Sequence, residues 1–380
     1  MLSYWEKTSL TRYDYILVGG GLVGLSTALE LRKEKPDARI LVLDRGLFPT
    51  GASTKNAGFA CFGSLTEMLD DLTRLSEAEL LQLVALRWQG LARLRQRLGD
   101  ARIGLMPTGG YELLQPEWAH AVGELDRLNA LLRPLFPEPV FRLANDQSAR
   151  FGFARDQYTH LIHNPYEASI DTGLMMHHLM QLAAVQGIRM LSGVDVTGVY
   201  EDGWVETKQG VALEAEQVCV TNNAFARELL PELEVVPGRG IVLITKPIED
   251  LPFEGIFHMD AGYFYFRNVG KRVLLGGGRN LDPDTEATTS FTLNPRIQAA
   301  LRDRLDRVIL PGSPYEIEME WAGIMAFGSV KKPIVRRIGP RLSCAVRCGG
   351  MGVAIGSMVG TLAAQQMLSP DPVPQPSLLP

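Results

Sequence analysis

Three glycines decide what the start of this chain can become. Gly19, Gly21 and Gly24 follow the apolar run Tyr13 to Val18 and precede Leu25, Ala28, Leu29 and Leu31, which fit one face of a helix. The run contains β-branched residues and ends in glycine, so it reads as a buried strand; Ile40 to Leu43, beyond the break at Pro36, reads as a second. In the spacing G-x-G-x-x-G, with Leu22 and Val23 at the open positions, the first glycine permits a tight turn. The second lets backbone approach a pyrophosphate, and the third lets helix and strand pack closely. The helix start adds unpaired N–H groups and the positive end of its dipole. Asp44 closes the second strand about 20 residues further on, where an acid accepts hydrogen bonds from ribose hydroxyls. An acid at that position disfavours a 2′-phosphate, so FAD or NAD is expected rather than NADP. The competing expectation is a structural turn that binds nothing.

The rest of the chain divides by pattern. Ser76 to Leu98 predicts a long helix, because Ser76 and Glu79 form a capping box, six apolar residues share a face and Gly99 supplies the stop. A helix near Trp118 to Leu132 ends at Pro134, and Asp171 to Gln186 reads as another, closed by Gly187. Ile188 to Leu191 and Val194 to Val199 read as strands. Short strand candidates at 205–207, 218–221, 241–245, 263–267 and 272–275 suggest a mostly antiparallel sheet. Gly349 to Gly352 form a second glycine turn before an apolar helix, and the proline-rich Pro370 to Pro380 reads as a loose tail.

Composition narrows the class of function. The formal charge of −5 argues against a nucleic-acid partner, which would favour a basic surplus. Apolar residues at 46% and charged residues at 21% suit a globular chain with a sizeable core. Four cysteines without a CxxC pair fit a reducing compartment. The first residues show no secretory h-region, and the stretch Met351 to Ala364 is short and interrupted by glycine, which suits a buried helix better than a membrane span. A cytoplasmic protein is expected, with no membrane and no nucleic acid as partner. The six histidines lack metal-ligand spacing, so no metal is expected.

The loop G-A-S-T-K-N-A-G-F, Gly51 to Phe59, is rich in small and hydroxyl residues and suits a phosphate or a flavin edge. Together with Y-D-Y-I-L-V-G-G-G-L-V-G-L and the Asp44-Arg45 pair, it resembles the FAD-dependent amino-acid oxidoreductases, the family of glycine, sarcosine and D-amino-acid oxidases. Looser patches continue the resemblance: E-A-S-I-D at Glu167 to Asp171, G-V-D-V-T at Gly193 to Thr197, P-G-R-G at Pro237 to Gly240, W-A-G at Trp321 to Gly323, and C-G-G-M-G-V-A-I-G from Cys348. The resemblance implies an α/β fold, with a Rossmann-like FAD-binding domain and a discontinuous second domain on a mainly antiparallel sheet. Residues 1–75, 145–225 and 321–380 would form the FAD domain, and 76–144 with 226–320 the substrate domain. It implies FAD pyrophosphate over Gly19, Gly21 and Gly24, ribose on Asp44 and Arg45 near adenine. Ser53, Thr54, Lys55 and Asn56 would contact the pyrophosphate and ribityl region, Ala57, Gly58 and Phe59 would run beside the flavin ring, and Val196 would meet adenine. Gly323 matches the W-A-G patch. Gly349, Gly350, Met351, Gly352 and Val353 would approach the ring, where a helix N-terminus can stabilise negative charge.

At the substrate end the resemblance implies Tyr263, with Tyr265 on the same side of its strand as the alternative. Arg279 and Arg239 are candidate carboxylate clamps, since a guanidinium binds a carboxylate bidentately; the competing expectation for each is a solvated surface arginine. Glycine oxidase-like members carry a substrate arginine two residues beyond W-A-G, where this chain has Met325. A carboxylate substrate therefore does not follow from that motif. Cys348 stands where a histidine is frequent, and no lysine lies near Val273 to Leu275 of the kind sarcosine oxidases place by the flavin. Some relatives attach flavin through a cysteine, which would make Cys348 or Cys61 the site, although free buried cysteines are the expectation. The implied reaction is oxidation of a CH–NH bond of a small amine or amino acid by hydride transfer to flavin N5, giving an imine, with oxygen or an electron carrier as acceptor. The alternatives are a 2-hydroxy-acid dehydrogenase and a non-catalytic FAD-binding partner protein.

Overall fold

The computed structural model describes residues 1–369, so the expected loose tail lies outside the described residues. The first sheet runs in the order Ile334–Gly339, Leu342–Val346, Ala212–Val220, Arg12–Val18, Ile40–Asp44 and Arg189–Ser192, with Trp204–Thr207 and Val196–Val199 added beside Ala212–Val220. Its central pairs are parallel, with Val18 opposite Val220 and Leu43. Leu17 and Val42 face one apolar cluster while Ile16, Leu41 and Leu43 face another, which is why these strands read as unbroken apolar runs. Helices Leu22–Glu34, Glu77–Leu98, Thr172–Val185 and Gly352–Leu368 contribute to the first cluster.

The second sheet has the order Ile317–Phe327, Val236–Thr245, Arg272–Gly277, Phe264–Val269, Ile256–Met259, Gly110–Leu114, His160–Asn164 and Arg142–Leu143. Every pair is antiparallel except Ile256–Met259 with Gly110–Leu114. Period-2 alternation sends Ile241, Leu243, Phe257, Met259, Phe264, Phe266, Val273 and Leu275 into an aromatic-rich core with Ile297 and Leu301. The residues between them, Gly240, Val242, His258 and Tyr265, turn to the other face and line the main cavity.

Several expectations are corrected. The strands near 205–207 and 218–221 belong to the first sheet, not the antiparallel one. Trp118 to Leu132 is not one helix: Pro116–Glu124 is 3-10 and Leu125–Leu132 is α, the poor helix former Gly123 lying just before the junction. The expected domain boundaries also differ from the sheets. Glu77–Leu98, assigned to the substrate domain, packs on Gly352–Leu368 so closely that a Cβ on Gly90 would lie 2.1 Å from the Ala354 carbonyl oxygen. His160–Asn164 and Trp321 to Phe327, assigned to the FAD domain, are strand residues of the second sheet. An apolar pattern shows that a segment is buried without showing against what. Gly352–Leu368 is almost wholly buried, and among the described residues no helix is long and apolar enough to cross a membrane.

Candidate cofactor and substrate site

One elongated cavity of about 430 Å³ takes its walls from both sheets. At one end lies the first glycine turn. A Cβ on Gly24 would lie 1.9 Å from the Gly19 carbonyl oxygen, so the third glycine is what lets the helix close on the strand. Gly19 has φ +120, a conformation side chains rarely adopt, and a Cβ on Gly21 would meet Ser53 Oγ at 2.9 Å. Gly19, Gly21, Leu22 and Val23 line the cavity, whereas Gly24 does not and acts through packing. Asp44 lies on the wall with each carboxylate oxygen accepting one backbone N–H, from Gly20 at 3.0 Å and Gly46 at 2.9 Å, which leaves lone pairs for hydroxyl donors.

The loop after Asp44 is brought onto this turn. Ser53 Oγ accepts the Leu22 N–H at 2.9 Å, and Lys55, Asn56, Ala57 and Phe59 line the cavity beyond it. Two residues expected along it are turned elsewhere. Thr54 Oγ1 donates to the Pro49 carbonyl at 3.0 Å and caps its own loop, and Gly58 serves a turn at φ +73 where a Cβ would lie 2.3 Å from the Ile170 carbonyl oxygen. Neither lines the cavity. Arg45 stacks on Phe225 at 3.8 Å and pairs with Glu228 at 3.6 Å, and Val196 lies on the same stretch of wall. Asn222 Oδ1 is buried there without a partner among the described residues, an acceptor whose donor a ligand could supply. Gly323 and the second turn, Gly349, Gly350, Met351, Gly352 and Val353, line the far part of the cavity. Non-glycine residues with positive φ gather around it: Asn223 and Ala261 line it, while Asp260 and Arg347 adjoin lining residues. These features fit a dinucleotide extended from the first glycine turn to the second.

At the other end Tyr263, Tyr265, Met325, Phe327 and Arg279 come together. The Arg279 guanidinium lies 4.0 Å over Phe327 and 5.4 Å from the Tyr263 ring centre. It has no acidic partner among the described residues, and burial holds its pKa below the usual arginine value. Arg239 behaves differently and is neither a clamp nor a solvated arginine. It is 3% exposed and gives Nε and Nη2 to Glu286 at 2.9 and 2.6 Å and Nη1 to Thr292, so its donors are spent inside the protein. Burial pushes the Tyr265 phenol up to about 12.

Other wall residues have no signal in the sequence. His258 is buried, with Nε2 3.2 Å from Glu167 Oε2 and its ring edge-to-face with Phe59. Burial alone would lower its pKa, but the hydrogen bond to Glu167 and the charges of Glu167, Glu112 and Glu67 outweigh this and hold it above the ordinary value. Burial would raise Glu67, yet Lys331 at 3.3 Å and Arg87 hold it below the carboxylate range. Cys61, Glu167 and His258 bring S, O and N atoms within 4.8 Å of one another, a donor set able to ligate a metal, although the Glu167–His258 bond already joins two of them. Burial pushes the Cys61 thiol well up and the Cys348 thiol to about 12.

Residues 14–366 match DAO, the family described as FAD dependent oxidoreductase. Glycine oxidase of Geobacillus kaustophilus (strain HTA426) is 24% identical over 330 residues, which cover 82% of this chain and 81% of that one. The crystal structure of glycine oxidase from Geobacillus kaustophilus superposes with a TM-score of 0.77 at 22% identity, covering 94% of this chain and 95% of that one. L-proline dehydrogenase from P. horikoshii gives 0.76 at 17% identity, with 94% of each chain covered. These structural likenesses show a shared fold.

Proposed function

The chain belongs to the family of FAD-dependent oxidoreductases, and on that premise we propose that it oxidises the CH–NH bond of a small amino acid, with Arg279 holding the carboxylate. When bound, FAD supplies the hydride acceptor, N5 of its ring. The chain's own residues bind and orient. Backbone N–H groups at Gly21 and Val23 would hold the pyrophosphate, Asp44 the ribose, and the turn from Gly349 to Val353 the ring. Tyr263 and Tyr265 would wall the substrate against water, because a dry, oriented C–H bond is most of what such a reaction needs from the protein.

The observation that carries this reading is the unpaired Arg279. A half-buried guanidinium stacked on two aromatic rings and lacking an acid among the described residues is a charge waiting for an anion, and its planar fork suits a carboxylate. It does from the strand Arg272–Gly277 and its exit what Met325 cannot do from the neighbouring wall. The test is anaerobic flavin bleaching with amino acids, N-methyl amino acids, D-amino acids, simple amines and 2-hydroxy acids, followed by peroxide detection in air to separate oxygen from a carrier as acceptor. Bleaching by an amino acid, and little by the amine lacking its carboxylate, is expected. Colour that persists with every amino acid and amine overturns the reading, and bleaching by hydroxy acids alone replaces it.

A further inference from the structure

We propose that His258, held by Glu167, is the base that removes a proton from the substrate ammonium before its carbon is oxidised. The inference rests on the amine reading above. A free amino acid arrives as an ammonium ion, which has no lone pair to support the loss of hydride from the adjoining carbon. Something in the cavity must take that proton.

The strand Ile256–Met259 sends Phe257 and Met259 into the core and His258 to the cavity wall. A carboxylate only accepts, so the contact with Glu167 assigns the hydrogen of the neutral ring to Nε2 and the lone pair to Nδ1. Nδ1 makes no hydrogen bond among the described residues. Several other groups on the wall are unsuited. The phenol of Tyr265 and the thiols of Cys61 and Cys348 are held protonated by burial, Lys331 is a cation paired with Asp71 at 2.6 Å, and Glu67 is too weak a base beside Lys331 and Arg87.

In the step, one ammonium N–H bond breaks, its electron pair stays on the substrate nitrogen, and the proton bonds to Nδ1. The imidazolium so formed lies among Glu167, Glu112 and Glu67, with Cys61 neutral beside it and Lys331 and Arg87 beyond Glu67, so the surrounding charge favours it. A second, small cavity of about 10 Å³, roughly the room of one water, is lined by His258, Glu167 and Glu112 and by apolar Leu65, Phe141 and Ile162. Asn164 Nδ2, on the same wall, has no partner among the described residues.

Two measurements test this. In holoenzyme with isotope-labelled histidines, the NMR signal missing from His258→Asn should titrate above the ordinary histidine midpoint of about 6.5 and move down in Glu167→Gln. A ring that does not titrate, or one unmoved by Glu167→Gln, overturns the assignment whatever the substrate. The anaerobic bleaching rate should fall as pH drops through the same midpoint, because the protonated ring cannot accept. His258→Asn, with its flavin retained, should bleach about 100-fold more slowly and lose that limb, while Glu167→Gln should shift the limb to lower pH. A limb that survives in His258→Asn overturns the proposal. If the ring titrates as expected but no amino acid or amine bleaches the wild type, the amine reading has failed and the base falls with it.

Discussion

The two ends of the cavity are made of different material. The nucleotide end is built around backbone, a glycine turn and one loop drawn from positions 19 to 59, with two further segments, Val194 to Val196 and Thr221 to Phe225, completing the wall. The other end is side chains: His258, Tyr263, Arg279, Phe327 and Lys331 arrive from separate segments, with Glu167 behind His258. A site made of backbone tolerates few residues at each position, because a single Cβ collides. A site made of side chains tolerates many, because a guanidinium can reach the same point from several strands. On the proposed reading Met325 and Arg279 are such a case, the charge coming from just beyond the strand Arg272–Gly277 rather than from position 325.

The contrast is broken first by Gly24→Val. The added Cβ would lie 1.9 Å from a backbone oxygen, which cannot swing aside, so the helix must separate from the turn. Near-complete loss of flavin from the purified protein is expected, read from its visible absorption against protein. A variant that still carried flavin one to one would show that the nucleotide end is less backbone-dependent than argued. The substrate end should respond without losing flavin, and its two arginines should separate. Arg239→Gln strands the Glu286 carboxylate in the interior and should cost about 3–5 kcal/mol of folding stability in denaturant titrations. Arg279→Gln removes a group that no protein acid needs. It should leave stability nearly unchanged and raise KM for carboxylate donors roughly 10- to 150-fold, the equivalent of about 1.5–3 kcal/mol for hydrogen bonds to a charged group. The reverse pattern would exchange the roles of the two arginines.

The same difference explains what the sequence disclosed. Gly19, Gly21 and Gly24 lie within six positions and Asp44 at a set interval, so the local pattern carries the nucleotide end almost whole. Thr54 and Gly58 were drawn into it by their neighbours, yet one turns its hydroxyl back to Pro49 and the other serves a turn. His258 left no trace, because its partner Glu167 is 91 positions away and pairing between a strand and a distant connecting turn has no sequence period. Arg239 and Arg279 look alike in sequence, each beside glycines, and only the position of Glu286 tells them apart. The sheets follow the same rule: strands and helix caps were legible from alternation and from the Ser76–Glu79 box, whereas the sheet that claims each strand depends on contacts between distant residues.

Cys348 lies between the two materials, a side chain at the edge of the second glycine turn, and gives the smallest expected effect. Attack on a flavin ring requires a thiolate. With the thiol pushed up to about 12 by burial, only about one molecule in 10⁵ is ionised at neutral pH. Burial likewise holds Cys61 as a thiol, its sulfur 3.8 Å from Met351 Sδ. Acid precipitation of the wild type should therefore release the flavin into the supernatant. Cys348→Ser should keep the same flavin content and bleach within about two-fold of the wild-type rate, since the change removes little volume and no charge. Colour retained in the wild-type pellet and lost in the variant would mean that binding FAD supplies the thiolate that this environment withholds, and the second glycine turn would then hold the ring by a covalent bond as well as by its backbone.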